Sequence, residues 1–162
     1  MPRRIKQGEG TLIGNAGEYF VVAELLKRGV VAALAPRNTP GFDLLAARGS
    51  KTVKVRVKTK TEEYDCWQWN AKKNGSIFLG LSPKDDFIVL VNLTQETKEM
   101  DYFILPTVKI DGWLQKLFQD WVGTPGKKGQ QHDRENKRRI IYYKEFGTEL
   151  EPFKNQWEIM WA

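Results

Sequence analysis

The chain has 162 residues, one cysteine (Cys66), one histidine (His132) and a formal net charge of +6. This length is typical of a single domain, and the single cysteine and histidine exclude an internal disulfide and a zinc site of four Cys/His ligands. The sequence contains no run of 18 apolar residues, so it predicts no transmembrane helix. The basic start at Met1–Arg4 is not followed by the apolar core of a signal peptide. We therefore expect a cytoplasmic protein without membrane association.

Positive charge is concentrated in the first third of the chain. Residues 1–60 carry 12 Lys/Arg and four Asp/Glu, whereas residues 61–162 carry 14 Lys/Arg and 16 Asp/Glu. Such an asymmetry favours a surface that faces a polyanion, such as a nucleic acid. The alternative is a moderately basic protein without a polyanionic partner.

The residue pattern predicts one domain over residues 1–162, with a strand-rich middle between helices. Residues 1–10 are polar and are expected to form a loose arm, and a first helix over 11–28 ends at Gly29. Apolar and alternating runs predict strands over 30–35, 42–48, 52–60, 87–93, 101–105 and 140–146. Residues 77–81 are compatible with a short strand or a loop.

The second half of the chain predicts another helix and a long loop. The helical stretch runs from Pro106 to about Trp121, and the glycine-rich, charged segment 123–139 is expected to be a mobile basic loop. The aromatic tail favours a short packed helix. Together these elements predict an α/β (α+β) fold with a central mixed sheet of about five strands flanked by helices.

Tryptophans alternate within the polar connection over residues 61–76. Trp67 and Trp69 could stack on nucleic-acid bases, with Lys72 and Lys73 near the phosphates. The alternative, which we favour, is that both rings cover the end of the sheet.

The segment over 52–60 has the clearest strand pattern in the chain. Its valines alternate with four cations, so valines and cations point to opposite sides of the strand: Lys54, Arg56, Lys58 and Lys60. Four like charges on one face repel each other, which favours an anionic partner. The alternative is a solvated edge strand on which lysines prevent aggregation.

Two carboxylates in apolar surroundings are candidates for a site. The turn at Gly49-Ser50 places Asp43 close to Arg56 in the pairing of two neighbouring strands, and aspartate is depleted in strands. Glu18 lies on the first helix beside apolar positions, where an unpaired carboxylate is unfavourable. Gly14 and Gly17 precede it, and helix-interior glycines are tolerated where a backbone approaches another element closely.

Three segments carry a resemblance to a known family. GNAGEYFVVAELLKRG, GFDLLAA and VKVRVKTK, within residues 11–60, resemble the PD-(D/E)xK nuclease superfamily, which has the restriction-endonuclease-like fold. The likeness is greatest to small members that include Holliday-junction-resolvase-like proteins. The resemblance implies a metal-dependent hydrolase of DNA phosphodiester bonds.

The resemblance also implies roles for three residues. Glu18 matches the helix glutamate and Asp43 the motif aspartate, so both are the expected ligands of Mg²⁺ or Mn²⁺. Lys58 matches the motif lysine, which completes the expected catalytic set. A metal held by carboxylates lowers the pKa of its water and neutralises developing charge.

The motif departs from the family at Arg56, where an acid or glutamine is expected. A guanidinium cannot bind a metal and stays charged, and beside Asp43 it would occupy the place of the cation. Three interpretations stay open: Glu62 or Glu63 supplies the missing acid, Glu18 and Asp43 hold one metal alone, or the protein binds nucleic acid without a metal and without cutting it.

We further expect the basic residues to contact a nucleic acid, and DNA in particular. The candidate contacts lie on the cationic strand, in the loop before Asp43 and in the late basic segment: Lys54, Arg56, Lys60, Arg37, Lys127, Lys128, Arg138 and Arg139. Many nucleases of the kind that the sequence resembles cut two strands as dimers, so the resemblance makes a homodimer one possible state and leaves the oligomeric state open. A protein–protein module with a tryptophan-rich interface is the remaining alternative.

Overall fold

The computed structural model describes residues 9–94 and 98–162. Its helices are α1 (Gly10–Lys27), α2 (Thr107–Gly123) and α3 (Gly147–Leu150), and 3-10 turns follow at Glu151–Phe153 and Trp157–Trp161. Its strands are β1 (Val31–Leu34), β2 (Leu44–Arg48), β3 (Lys51–Thr61), β4 (Cys66–Asn70), β5 (Asp86–Leu93), β6 (Asp101–Pro106) and β7 (Arg138–Tyr142). None of the helices in these ranges is long and apolar enough to cross a membrane.

A five-stranded mixed sheet forms the centre of the molecule. Its strand order is β1-β2-β3-β5-β6, with antiparallel pairing everywhere except between β3 and β5, which run parallel. Strands β4 and β7 form a separate antiparallel pair, which we call the β4–β7 ribbon. The predicted α+β class and the central sheet are confirmed.

Two apolar clusters cover the two faces of the central sheet. On one face, Val21 and Leu25 of α1 pack on Val53 and Val55 of β3. On the other face, α2, α3 and the β4–β7 ribbon pack on β5 and β6. The alternating valines of β3 thus bury one side of the strand beneath α1, as period two requires.

The central position of β3 overturns one of the two interpretations of its cations. The interpretation of β3 as a solvated edge strand is wrong, because β2 and β5 flank β3 on both sides.

The sequence also failed to indicate β4 within the segment 61–76, although Trp67 and Trp69 alternate there. Residues 77–81 form loop and turn rather than a strand, and residues 1–8 of the expected arm lie outside the described residues.

A glycine sets the distance between α1 and the sheet. A Cβ added at Gly17 would lie 1.8 Å from Oγ1 and 2.9 Å from Cβ of Thr59 on β3. The close approach expected of the two glycines is therefore confirmed for Gly17. It is wrong for Gly14, since no atom of another described element lies within 4 Å of a Cβ built there.

These two glycines give a matched test of the packing. Gly17→Ala forces α1 away from β3 and should lower the free energy of unfolding by about 1–3 kcal/mol, the usual effect of overpacking. Gly14→Ala has space for its methyl group and should stabilise the protein by about 0.5–1 kcal/mol, because alanine favours a helix. Urea unfolding of both variants measures the contrast, and equal effects would contradict the close contact.

Candidate functional site

Asp43 is held rigidly at the start of β2. Its backbone N–H donates to the Val55 carbonyl at 3.0 Å, and its carbonyl accepts from the Ala35 N–H at 2.8 Å. Leu44 pairs with Val55, so Asp43 lies opposite Arg56, as the turn at Gly49-Ser50 predicted. The Val57 amide donates to Oδ2 of Asp43 at 2.8 Å. Burial nonetheless raises the pKa of Asp43, against the lowering effects of Val57, Arg56 and Lys58.

Glu18 reaches the same site from α1. The buried face of this helix carries Ile13, Gly17, Val21 and Leu25, and Glu18 lies half-buried at its border. Burial raises the pKa of Glu18, the charge of Asp43 raises it further, and Arg37 acts in the opposite direction. The two carboxylates are therefore electrostatic neighbours, brought together because α1 packs tightly on β3.

Lys58 of β3 is the third member of the group. Its side chain is half-buried, and Nζ lies 5.6 Å from the ring centroid of Trp69. Burial lowers the pKa of Lys58, while the charge of Asp43 raises it. The structure thus brings the three predicted catalytic residues together, with Glu18 and Lys58 near Asp43.

Arg56 does not pair with Asp43. Its Nε and Nη2 donate to Oδ1 and Oδ2 of Asp86 at 2.9 and 2.8 Å, and Nη2 also donates to the Leu79 carbonyl at 2.8 Å. Asp86 is 1% exposed and also accepts from Thr107 Oγ1 at 2.7 Å. Burial acts to raise the pKa of Asp86, but the bonds from Arg56 and Thr107 outweigh it and lower that pKa. The expectation that Arg56 occupies the place of a cation beside Asp43 is therefore wrong.

An aromatic layer covers the cationic face of β3. The ring of Phe78 lies beside Arg56, with its centroid 5.3 Å from Cζ. Nζ of Lys60 lies 5.2 Å from the ring of Trp67 and 4.8 Å from that of Tyr143, and it donates to Asn92 Oδ1 at 2.7 Å. The tryptophans of 61–76 do cover the sheet, but on the cationic face of β3 rather than at the end of the sheet. The alternation of the two tryptophans in CWQWN was the available sequence signal for strand β4. No sequence signal indicated that Asp86 is the partner of Arg56, because only the parallel pairing of β3 with β5 places them side by side.

The predicted nucleic-acid contacts separate into buried and exposed residues. Arg56, Lys60 and Arg139 are buried, and Arg139 lies on the ring of Phe118 at 3.4 Å. These three are unsuited to contact a phosphate, because each is enclosed by the protein. Lys54 is half-buried and donates to the Gly80 carbonyl at 3.0 Å. The remaining predicted contacts are exposed: Arg37, Lys127, Lys128 and Arg138.

The donor set at Asp43 fits a hard divalent cation. The carboxylates of Glu18 and Asp43 repel each other when both are ionised. No donor from the described part of the chain is bound to Oδ1 of Asp43. Residues 9–94 and 98–162 contain no group of three or more His, Cys, Asp and Glu side chains that could hold a metal. Glu62 pairs with Lys98 at 3.4 Å, so the hypothesis that it supplies the missing acid has no support. Mg²⁺ keeps several waters and is often held by only two carboxylates.

Known structures place this arrangement in a fold class. The structure is similar to that of a bacterial homing endonuclease, I-Ssp6803I, with a TM-score of 0.50, 16% identity and coverage of 93% of this chain and 89% of that chain. The chain has a restriction-endonuclease-like fold. The fold that the sequence resemblance implied is thereby confirmed.

The structure is also similar to that of Hjc, a Holliday junction resolvase from the archaeal hyperthermophile Archaeoglobus fulgidus. Its TM-score is 0.45 at 13% identity, with coverage of 83% of this chain and 88% of that chain. No family model and no curated protein matches the sequence.

The Arg56–Asp86 pair should behave as a buried structural unit. Asp86→Asn or Arg56→Met leaves one buried charge without its partner, and each should lower the free energy of unfolding by about 3–5 kcal/mol. The double variant should lose clearly less than the sum of the two, because neither charge then stays buried. Urea unfolding of the four proteins checks this, and strictly additive losses would show that the two side chains are independent.

Asp43→Asn should stabilise the metal-free protein. The ionised carboxylate is disfavoured in the folded state, since the pKa of Asp43 is raised there, so wild type carries this penalty at pH values above the folded pKa. The Tm of the variant in EDTA should exceed that of wild type at pH 8. The difference should shrink as the pH falls and protonates Asp43 in the wild type.

The exposed Asp120 supplies the control, because its side chain is 64% exposed. Asp120→Asn should leave the Tm nearly unchanged over the same pH range. A Tm of Asp43→Asn below that of wild type at pH 8 would show that the carboxylate is not under electrostatic strain.

Proposed function

We propose that this protein is a divalent-metal-dependent nuclease that hydrolyses phosphodiester bonds in DNA. The observation that carries the proposal is the pairing of Arg56 with Asp86. This pairing engages Arg56 with a partner other than Asp43, and Glu18 and Lys58 interact electrostatically with Asp43. The restriction-endonuclease-like fold supports the same conclusion.

Each residue of the group has a distinct role in this proposal. Asp43 and Glu18 would hold Mg²⁺ or Mn²⁺, and the bound ion would supply a water of lowered pKa and neutralise negative charge on the phosphate. Lys58 lies near both Asp43 and the ring of Trp69. There it can orient the attacking water and stabilise charge that develops on the phosphoryl oxygens. Arg37 is exposed beside Glu18 and can bind a flanking phosphate.

A second candidate function is binding of nucleic acid without cutting. It is favoured by the presence of only two carboxylates at the site among residues 9–94 and 98–162, with Arg56 at the position of the third acid. In this case Lys58 and the exposed cations would still attract a phosphate backbone, and affinity would fall steeply with salt.

A cleavage assay separates the two candidates. The wild-type chain is incubated with supercoiled plasmid, linear duplex and single-stranded DNA in Mg²⁺, Mn²⁺ or EDTA. We expect cutting with metal only, and a loss of roughly 100-fold or more in Asp43→Asn and in Lys58→Met, since each variant removes a group that stabilises the transition state. Mg²⁺ or Mn²⁺ should also raise the Tm of wild type but not of Asp43→Asn.

The exposed pair on α2 supplies matched controls. Asp120→Asn and Lys116→Met change the same residue types at a pair that lies 3.0 Å apart on the surface, and both variants should cut like wild type. Cutting by Asp43→Asn at the wild-type rate would disprove the assigned site. A folded wild type that binds DNA in a salt-dependent way, without metal-dependent cutting or a Tm shift, would establish the second candidate.

A further inference from the structure

The β4–β7 ribbon has two chemically different faces. Its antiparallel register pairs Trp67 with Ile141 and Trp69 with Arg139, and these residues point inward, onto Lys60, Lys58 and Phe118. The alternate pairs point outward, because side chains alternate along each strand. The outer face consists of Cys66 with Tyr142, Gln68 with Ile140, and Asn70 with Arg138.

The outer face presents side chains that carry free hydrogen-bonding groups. Asn70 and Arg138 are exposed and Gln68 is half-buried. Nη2 of Arg138 donates to Oε1 of Gln68 at 3.0 Å, which orients both groups on one patch. Within residues 9–94 and 98–162, no carboxylate forms an ion pair with the Arg138 guanidinium. An amide pair and an unneutralised arginine thus lie together on a ribbon of two strands.

Exposed lysines gather at the end of the same patch. Lys72 and Lys73 follow β4 after Ala71, and Lys137 directly precedes β7. A hydrogen bond of 2.8 Å from the Ala71 N–H to the Lys137 carbonyl joins the two segments. The patch is therefore complementary to a polyanion that also offers hydrogen-bonding groups.

We propose that the outer face of the β4–β7 ribbon reads base edges in the major groove of duplex DNA. The major groove of B-DNA is about 12 Å wide and admits a two-stranded ribbon. Arginine binds guanine through two hydrogen bonds, and asparagine and glutamine bind adenine in the same way. Arg138, Asn70 and Gln68 supply these groups, while Lys72, Lys73 and Lys137 are placed to bind phosphates beside the groove.

The inner face of the ribbon connects this recognition to the site of cutting. Trp69 lies on Lys58, so the reading patch is fixed relative to Asp43 and Lys58 by packed side chains. This inference rests on the proposed function, and it makes that function sequence-selective. It also specifies DNA, because the major groove of an RNA duplex is too deep and narrow for a ribbon to enter.

Selection from a random duplex library tests the proposal without any cutting. The wild-type chain binds a duplex DNA pool with a randomised centre in EDTA, and the bound fraction is sequenced. We expect enrichment at a short run of adjacent base pairs. Arg138→Ala should relax one position by about 10- to 100-fold, and Asn70→Ala and Gln68→Ala should relax neighbouring positions to a similar extent. All three residues lie on the surface, and an unchanged Tm confirms that each variant is folded.

Two control variants separate the reading of bases from the electrostatic attraction to phosphates. Lys72→Ala and Lys73→Ala should weaken binding to all sequences equally and reduce the salt dependence by about one counterion each. Lys116→Ala, on the exposed side of α2, should change neither property. Duplex RNA and single-stranded DNA of the enriched sequence should bind without dependence on Gln68, Asn70 and Arg138.

The remaining outcomes distinguish this proposal from the proposed function. If wild type binds duplex DNA and the triple variant of Gln68, Asn70 and Arg138 enriches the same sequences, the ribbon does not read bases. That outcome does not contradict the proposed nuclease function. Ribbon-dependent binding of single-stranded DNA or of duplex RNA would also overturn the major-groove assignment. If the folded protein binds no nucleic acid at all, both proposals fail.

Discussion

A row of four cations on the central strand is the constraint on which the rest of this structure depends. Strand β3 lies between β2 and β5, so Lys54, Arg56, Lys58 and Lys60 project from the middle of the sheet rather than from an edge. Burying a charge without a partner is unfavourable by several kcal/mol. One half of the molecule is therefore built to compensate these charges. Asp86 neutralises Arg56, and carbonyl oxygens accept from Lys54 and Lys60. Aromatic rings lie beside Arg56, Lys58 and Lys60.

This compensation also defines the candidate site. Arg56 donates to Asp86 and to the Leu79 carbonyl rather than to Asp43, the carboxylate that it faces across the β2–β3 pairing. Asp43 accepts a hydrogen bond from the Val57 amide on one oxygen, and Glu18, Arg56 and Lys58 are its charged neighbours. In the proposed function, the two partly buried carboxylates hold a divalent cation next to a lysine whose pKa is lowered by burial. The same aromatic layer that covers the cations carries the outer face of the β4–β7 ribbon.

Local pattern was sufficient for several features of the fold. The alternation in VKVRVKTK predicts β3 and its two faces, and the Gly49-Ser50 turn predicts that Asp43 lies opposite Arg56, because short turns between antiparallel strands determine register. The close approach of α1 was visible in Gly17, since glycine inside a helix is unfavourable without such a reason. These features depend on residues that are near in sequence. The three residues that match the PD-(D/E)xK motif were identified from a resemblance that also lies within a short stretch of sequence, residues 11–60.

Other features required partners that are distant along the chain. Cys66–Asn70 becomes a strand because it pairs with Arg138–Tyr142, some 70 residues later, and no local signal indicates which segment completes a two-stranded ribbon. Asp86 becomes the partner of Arg56 only through the parallel pairing of β3 and β5, in a register that neither strand specifies by itself. The amino-acid sequence by itself therefore determined the strands of the central sheet, the close helix and the candidate acids and lysine. Only the tertiary structure decided which cations are buried and neutralised and which remain free to meet a substrate, because burial and charge pairing depend on contacts between segments far apart in the chain.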